Sequence, residues 1–85
     1  METVLELKEY NQEEPTEQNP DPDRYTDRKF PLFYTEDSLN QYLEVHKVYG
    51  KVFEYDREEY ETFHNADEND FTVEVPEPIS EWVVD

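Results

Sequence analysis

Residues Thr35 to Asn65, TEDSLNQYLEVHKVYGKVFEYDREEYETFHN, constrain the fold more than any other stretch of the chain. Taken at alternating steps of three and four they give Leu39, Tyr42, His46, Tyr49, Phe53, Asp56, Tyr60 and Phe63, one helical face with Asp56 as its only acidic member. The opposite face reads Asn40, Glu44, Lys47, Lys51, Glu54, Glu58 and Glu61. One side can build a core while the other turns carboxylates to water. Gly50 interrupts the pattern, and a glycine in a helix interior costs about 1 kcal/mol. Beyond it, Lys51–Tyr55 (KVFEY) is rich in strand-favouring residues, and Asp56 with Glu59 has the spacing of a capping box. These signals together predict a helix from Glu36 to about Val48, a break near Gly50, a strand over Lys51–Tyr55, and a second helix from Arg57 to about His64. Thr35 serves as N-cap, with Glu36 and Asp37 at the positive end of the helix dipole. One long helix over 36–64 with flanking extended segments is the alternative.

The remaining chain supplies strands and connections. Thr3–Tyr10 alternates in part, sending Leu5 and Leu7 one way and Val4, Glu6 and Lys8 the other, as a short strand does. Residues 11–27, NQEEPTEQNPDPDRYTD, form an acidic loop whose three prolines hold it extended. Lys29–Tyr34 (KFPLFY) reads as an edge strand or an extended packing segment, because Pro31 cannot donate to a ladder. Ala66–Asp70 is a turn, and Phe71–Val75 (FTVEV) alternates cleanly enough to predict a strand. After Pro76 and Pro78, the apolar tail from Ile79 to Val84 pairs with another strand or docks on the main helix. The expectation is a single α+β domain over residues 1–85, with one or two acidic amphipathic helices packed on a short antiparallel sheet.

Charge decides what such a domain can do. Twenty-four Asp and Glu stand against seven Lys and Arg, a formal net charge of -17. So much charge would argue for disorder, but aromatic residues make up 15% of the chain and are regularly spaced. The sequence has no cysteine, no apolar run near the ~18 residues of a membrane span, and no signal-like arrangement in METVLELKEY. A cytoplasmic protein is expected, in the host cytoplasm if the source is viral.

Little in the sequence supports catalysis, a cofactor or a metal. Carboxylates are too numerous for any pair to mark an acid–base site, and a chain this short has little room for the apolar pocket such a pair needs. His46 and His64 are not at ligand spacing, one on the apolar face and one at a helix end. Ser38 and Ser80 lack a glycine-flanked turn, and a lone glycine cannot make a phosphate-cradling loop. The runs Asp21, Asp23, Asp27 and Asp67, Asn69, Asp70 resemble fragments of calcium loops, yet lack the sixth-position glycine and the twelfth-position glutamate. The chain is therefore expected not to be an enzyme.

Direct binding to nucleic acid or to an anionic membrane is disfavoured, since both require Lys and Arg to meet phosphates. The reverse is favoured. On a helix, carboxylates at i, i+3 and i+4 recur every ~5–6 Å, a scale like that of the phosphates along one DNA strand. Glu54, Glu58 and Glu61 give such a row, Asp56 and Glu59 lie beside it, and Asp67, Glu68 and Asp70 extend it. The loop from Glu13 to Asp27 offers a second row. Trp82, with Tyr25, Tyr34 and Tyr55, supplies candidate aromatic contacts. In size, charge and lack of catalytic apparatus, the chain resembles the small acidic DNA-mimic proteins of bacteriophages: anti-restriction proteins, anti-CRISPR proteins and uracil-DNA glycosylase inhibitors. That resemblance implies a partner, namely the basic channel of a DNA- or RNA-binding protein such as a nuclease, repair enzyme, nucleoid protein or polymerase. A homodimer could set two acidic rows side by side. The alternative is an acidic regulator or assembly factor that grips a basic patch unrelated to DNA, and charge kept only for dispersion would be scattered evenly.

Overall fold

The computed structural model describes residues 2–85. Its elements are β1 (Thr3–Glu9), α1 (Glu36–Val45), β2 (Gly50–Asp56), α2 (Arg57–Asn65) and β3 (Ser80–Val84). The strands form one antiparallel sheet in the order β1-β2-β3, making a small α+β domain of two helices on three strands. Long connections leave the molecule loosely filled. Its radius of gyration is 15.0 Å, against roughly 12 Å for a close-packed chain of this length.

Register decides which side chains share a face. Leu5 opposes Glu54, Leu7 opposes Val52, and Val52 opposes Trp82 across β2. Over this face lies the core, where Leu5, Leu7 and Val52 meet Leu39 of α1 together with Phe33 and Val48. Tyr42, Leu43, Trp82 and Val84 pack around it, half-buried. Each buried aliphatic side chain contributes about 1.5–3 kcal/mol. The alternate residues Val4, Glu6, Lys8, Lys51, Phe53 and Tyr55 occupy the second face. Tyr25 of the loop packs on this face 6.1 Å from the Phe53 ring, and α2 covers the far end. There α2 lies over Val4, Tyr60 sits 5.4 Å from Tyr55 ring to ring, and its hydroxyl donates to Glu6 Oε2 at 2.8 Å. The adjacent apolar pair Val4 and Leu5, ambiguous in sequence, thus marks a strand covered on both sides at one end.

Both helix starts are set by the caps read from sequence. Thr35 Oγ1 accepts from the Ser38 N–H at 3.1 Å, and Asp56 Oδ1 accepts from the Glu59 N–H at 3.1 Å. The run from Thr35 to Asn65 is broken as expected, so the single long helix over 36–64 does not form. Its apolar spacing instead serves a helix, a strand and a helix in turn. α1 ends at Val45 rather than Val48, because the chain must leave the helix for Val48 to enter the core and for β2 to begin at Gly50.

One other expectation changes. Phe71–Val75 is not a strand; Phe71 and Val75 are largely exposed, and β2 is paired on both sides by β1 and β3. Alternation permits a strand but does not supply its partner, and the tail Ser80–Val84 takes the place beside β2. The segment Lys29–Tyr34 packs in extended form, with one bridge between Phe33 and Leu5. Residues 11–27 run extended and are tied at their ends, by Asn11 N–H to Arg24 O at 2.8 Å and Thr26 N–H to Glu9 O at 3.0 Å.

The Tyr60–Glu6 contact carries a pH dependence. Burial first, and the hydrogen bond to Glu6 second, push the Tyr60 phenol well above its usual range. Because the folded value is the higher one, this stabilisation is complete below the unfolded phenol's pKa of about 10 and is lost as pH rises through the folded value. Tyr60→Phe should therefore flatten the fall of the melting temperature above about pH 10. Flattening will be partial, since burial raises Tyr55 as well. Thermal melts from about pH 8 to pH 11 check this, and an unchanged alkaline slope would mean that the Tyr60 phenol is not held above its usual range.

Candidate functional site

Asp56 ends β2 and caps α2, which places Glu58 and Glu59 in the first turn of that helix. Their charge suits the helix N-terminus, and Thr62 Oγ1 donates back to Glu58 O at 2.8 Å. Tyr60, two positions on from Glu58, is buried against the sheet, which turns Glu58 and Glu59 to solvent. The connection between α2 and β3 then returns past the same helix start. Its residues Thr72 to Glu77 line an open groove of about 940 Å³ together with Asp56, Glu58, Glu59 and Thr62. Five carboxylates (Asp56, Glu58, Glu59, Glu74 and Glu77) thereby border one depression. Among the described residues, no three His, Cys, Asp or Glu side chains converge closely enough to hold a metal ion.

The acidic row read from sequence is rearranged rather than reproduced. Glu54 lies on β2, half-buried on the sheet face of Leu5 and Val52, so it cannot continue a helical row into Glu58. Glu61 is on α2 but accepts from Arg57 Nε at 3.1 Å, which neutralises part of its field. Asp67, Glu68 and Asp70 follow α2 in an exposed turn outside the groove. Asp67 accepts from the Asn69 N–H at 3.2 Å, and hydrogen bonds from Thr72 hold the Asp70 carboxyl below its usual range. Trp82 does not offer a free ring: it is half-buried against the core, opposite Val52. Tyr25 and Tyr55 are also half-buried, while Tyr34 is exposed beneath the Arg57 guanidinium, 4.9 Å from the ring centroid.

Glu74 and Glu77 are the site residues that sequence reasoning missed. They were hidden in an apparent strand and a proline pair, and only the return of the chain past α2 brings them to Asp56. One signal was available. From Glu58 to Asp85 the sequence has ten carboxylates and no lysine or arginine. Four of the seven basic residues are engaged elsewhere: Lys8 with Glu6 at 3.5 Å, Arg28 with Glu9 at 3.1 Å, Lys51 with Glu81 at 2.8 Å, and Arg57 with Glu2 at 3.3 Å as well as with Glu61.

The acidic loop 11–27 sits apart from this groove. It leaves the sheet at Glu9, paired with Gly50, whereas the groove begins at Asp56, paired with Thr3. The seven-residue length of β1 separates the two regions by roughly 20 Å. Among the described residues no helix is long and apolar enough to cross a membrane. In comparisons with protein-family models, curated proteins and solved structures, nothing matches this chain.

Proposed function

We propose that this protein is an acidic inhibitor that presents DNA-like charge to the basic nucleic-acid channel of a partner protein and excludes DNA from it. The observation that carries the reading is the groove at the start of α2, where Asp56, Glu58, Glu59, Glu74 and Glu77 come together with no lysine or arginine in its lining. Charge held only for dispersion would be spread evenly, whereas five carboxylates border this one groove. Gathering like charges opposes folding through self-repulsion, and that opposition is relieved when a cationic surface meets them. The partner on this reading is a nuclease, repair enzyme, nucleoid protein or polymerase. Association would be fast and strongly salt-dependent through electrostatic steering.

A second reading draws on the shape of the same feature. A concave acidic groove with Val73, Val75 and Pro76 in its wall also suits an inserted lysine or arginine side chain, whose aliphatic stem would lie on those residues. Such a partner would be a basic patch with no role in DNA binding. The two readings separate in one experiment. The protein is immobilised and exposed to cell lysate at low salt, and retained partners are challenged with duplex DNA. Release of a nucleic-acid-binding protein by DNA supports mimicry; retention under excess DNA supports the regulator.

A further inference from the structure

The sheet has two outer edges, and the chain treats them differently. On β1 the edge is covered: Phe33 exchanges two backbone hydrogen bonds with Leu5, at 2.6 and 3.1 Å, and Thr26 bonds Glu9 further along. Among the described residues nothing pairs with the outer edge of β3. Hydrogen-bond parity shows what that edge presents. The Tyr10 N–H donates to Tyr49 O at 2.9 Å and the Arg57 N–H to Glu2 O at 3.1 Å, so the odd-numbered residues of β2 direct their backbone groups to β1. The even-numbered Gly50, Val52 and Glu54 then face β3, where their partners are Val84, Trp82 and Ser80. Glu81 and Val83 consequently turn their N–H and C=O groups outward.

We infer that the open edge of β3 is a docking strand for an extended segment of a basic partner, in which lysine or arginine alternates with apolar residues. Both halves of that pattern follow from the register. On one face an added strand would lie beside Trp82 and Val84, which are continuous with the core, and this asks for apolar side chains. On the other face Glu81 is already paired with Lys51 at 2.8 Å, but the exposed Val83 borders Asp21 and Asp23 of the acidic loop, and these carboxylates ask for basic side chains. Open edges ordinarily invite pairing between copies of the same chain. Here each copy carries -17, so self-pairing is opposed by the charge that attracts a basic strand. The inference rests on the reading above that the partner is basic, and it adds the way the partner is gripped.

The test uses the full chain, labelled for amide hydrogen exchange, with a synthetic peptide alternating lysine and valine. A peptide of the same charge, N-methylated at alternate residues so that it cannot pair as a strand, is the control. The unmethylated peptide alone is expected to slow exchange of the Glu81 and Val83 amides by about tenfold or more. Val83→Pro removes one outward N–H without touching the ladder to β2, so it should abolish the protection while the fold stands. If that variant does not fold by circular dichroism, Val83→Lys replaces it, repelling the peptide while keeping the backbone. Equal protection by both peptides would mean electrostatic coating and would overturn the inference. So would no protection, or protection that rises with protein concentration in the absence of peptide. If the edge fails but DNA still displaces a lysate partner, only this inference falls. If the peptide docks but no DNA-displaceable partner exists, the mimic reading falls and the docking edge stands.

Discussion

Gly50→Ala is expected to lower stability by about 3 kcal/mol or more, a large share of the ~4–13 kcal/mol available to a chain of this length. On backbone grounds alone the sign would be the opposite. Gly50 does not have a positive φ, and alanine at such a position usually stabilises by about 0.4–1 kcal/mol through the unfolded state. The neighbouring strand reverses that. A Cβ on Gly50 would fall far inside van der Waals contact distance of the Lys8 carbonyl oxygen and 2.9 Å from Glu9 Cα. Both are backbone atoms of β1, so no side-chain rotation relieves the clash. Relief requires β1 to move away from β2 where Glu9 opposes Gly50, next to Leu7 and Val52 of the core. Urea unfolding followed by Trp82 fluorescence gives the measurement, because Trp82 is the one tryptophan and packs against that core. An unfolding midpoint equal to that of the parent would show that β1 does not approach β2 this closely.

Neutralising the groove should separate function from stability. Changing Glu58, Glu59, Glu74 and Glu77 together to glutamine takes the net charge from -17 to -13 while Asp56 keeps its cap. Affinity for the basic partner is expected to fall by roughly 10–100-fold at low ionic strength, with a shallower salt dependence. The melting temperature should change little. Removing two first-turn carboxylates from α2 costs about 0.3–1 kcal/mol each, and relief of repulsion in the groove offsets a similar amount. Glu74→Gln with Glu77→Gln, outside any helix, should raise the melting temperature, since only the relief remains. Binding by the fourfold variant equal to that of the parent would place the contact surface elsewhere on the chain. A melting temperature lowered by the Glu74/Glu77 pair would instead mean that these carboxylates hold the fold together.

A parallel contrast runs through the legibility of the fold. Local chemistry was readable wherever it was sufficient by itself. Thr35 and Asp56 cap the helices because a side-chain oxygen three residues before an N–H meets it whatever the rest of the chain does. The acidic excess was equally plain in sequence, and a strand over Thr3–Tyr10 and a break near Gly50 were read from it with a helical alternative open at each. Where a residue's fate depended on a distant neighbour, the one-dimensional pattern misled. Phe71–Val75 alternates as well as any strand, but the place beside β2 is held by Ser80–Val84. Glu54 keeps helical spacing to Glu58 and Glu61, but it belongs to a strand and lies on the sheet face opposite α2.

The sequence by itself therefore determined the strength of the charge and the sites where helices begin. Those properties depend on composition or on contacts within a few residues. Only the tertiary structure decided that Gly50 is required by the approach of β1, that Glu74 and Glu77 join Asp56, Glu58 and Glu59, and that Glu81 and Val83 face outward on an unpaired edge. Each of these depends on which strand lies beside which and in what register. Strand pairing is set by the burial of a whole face, and no short window of sequence contains that information.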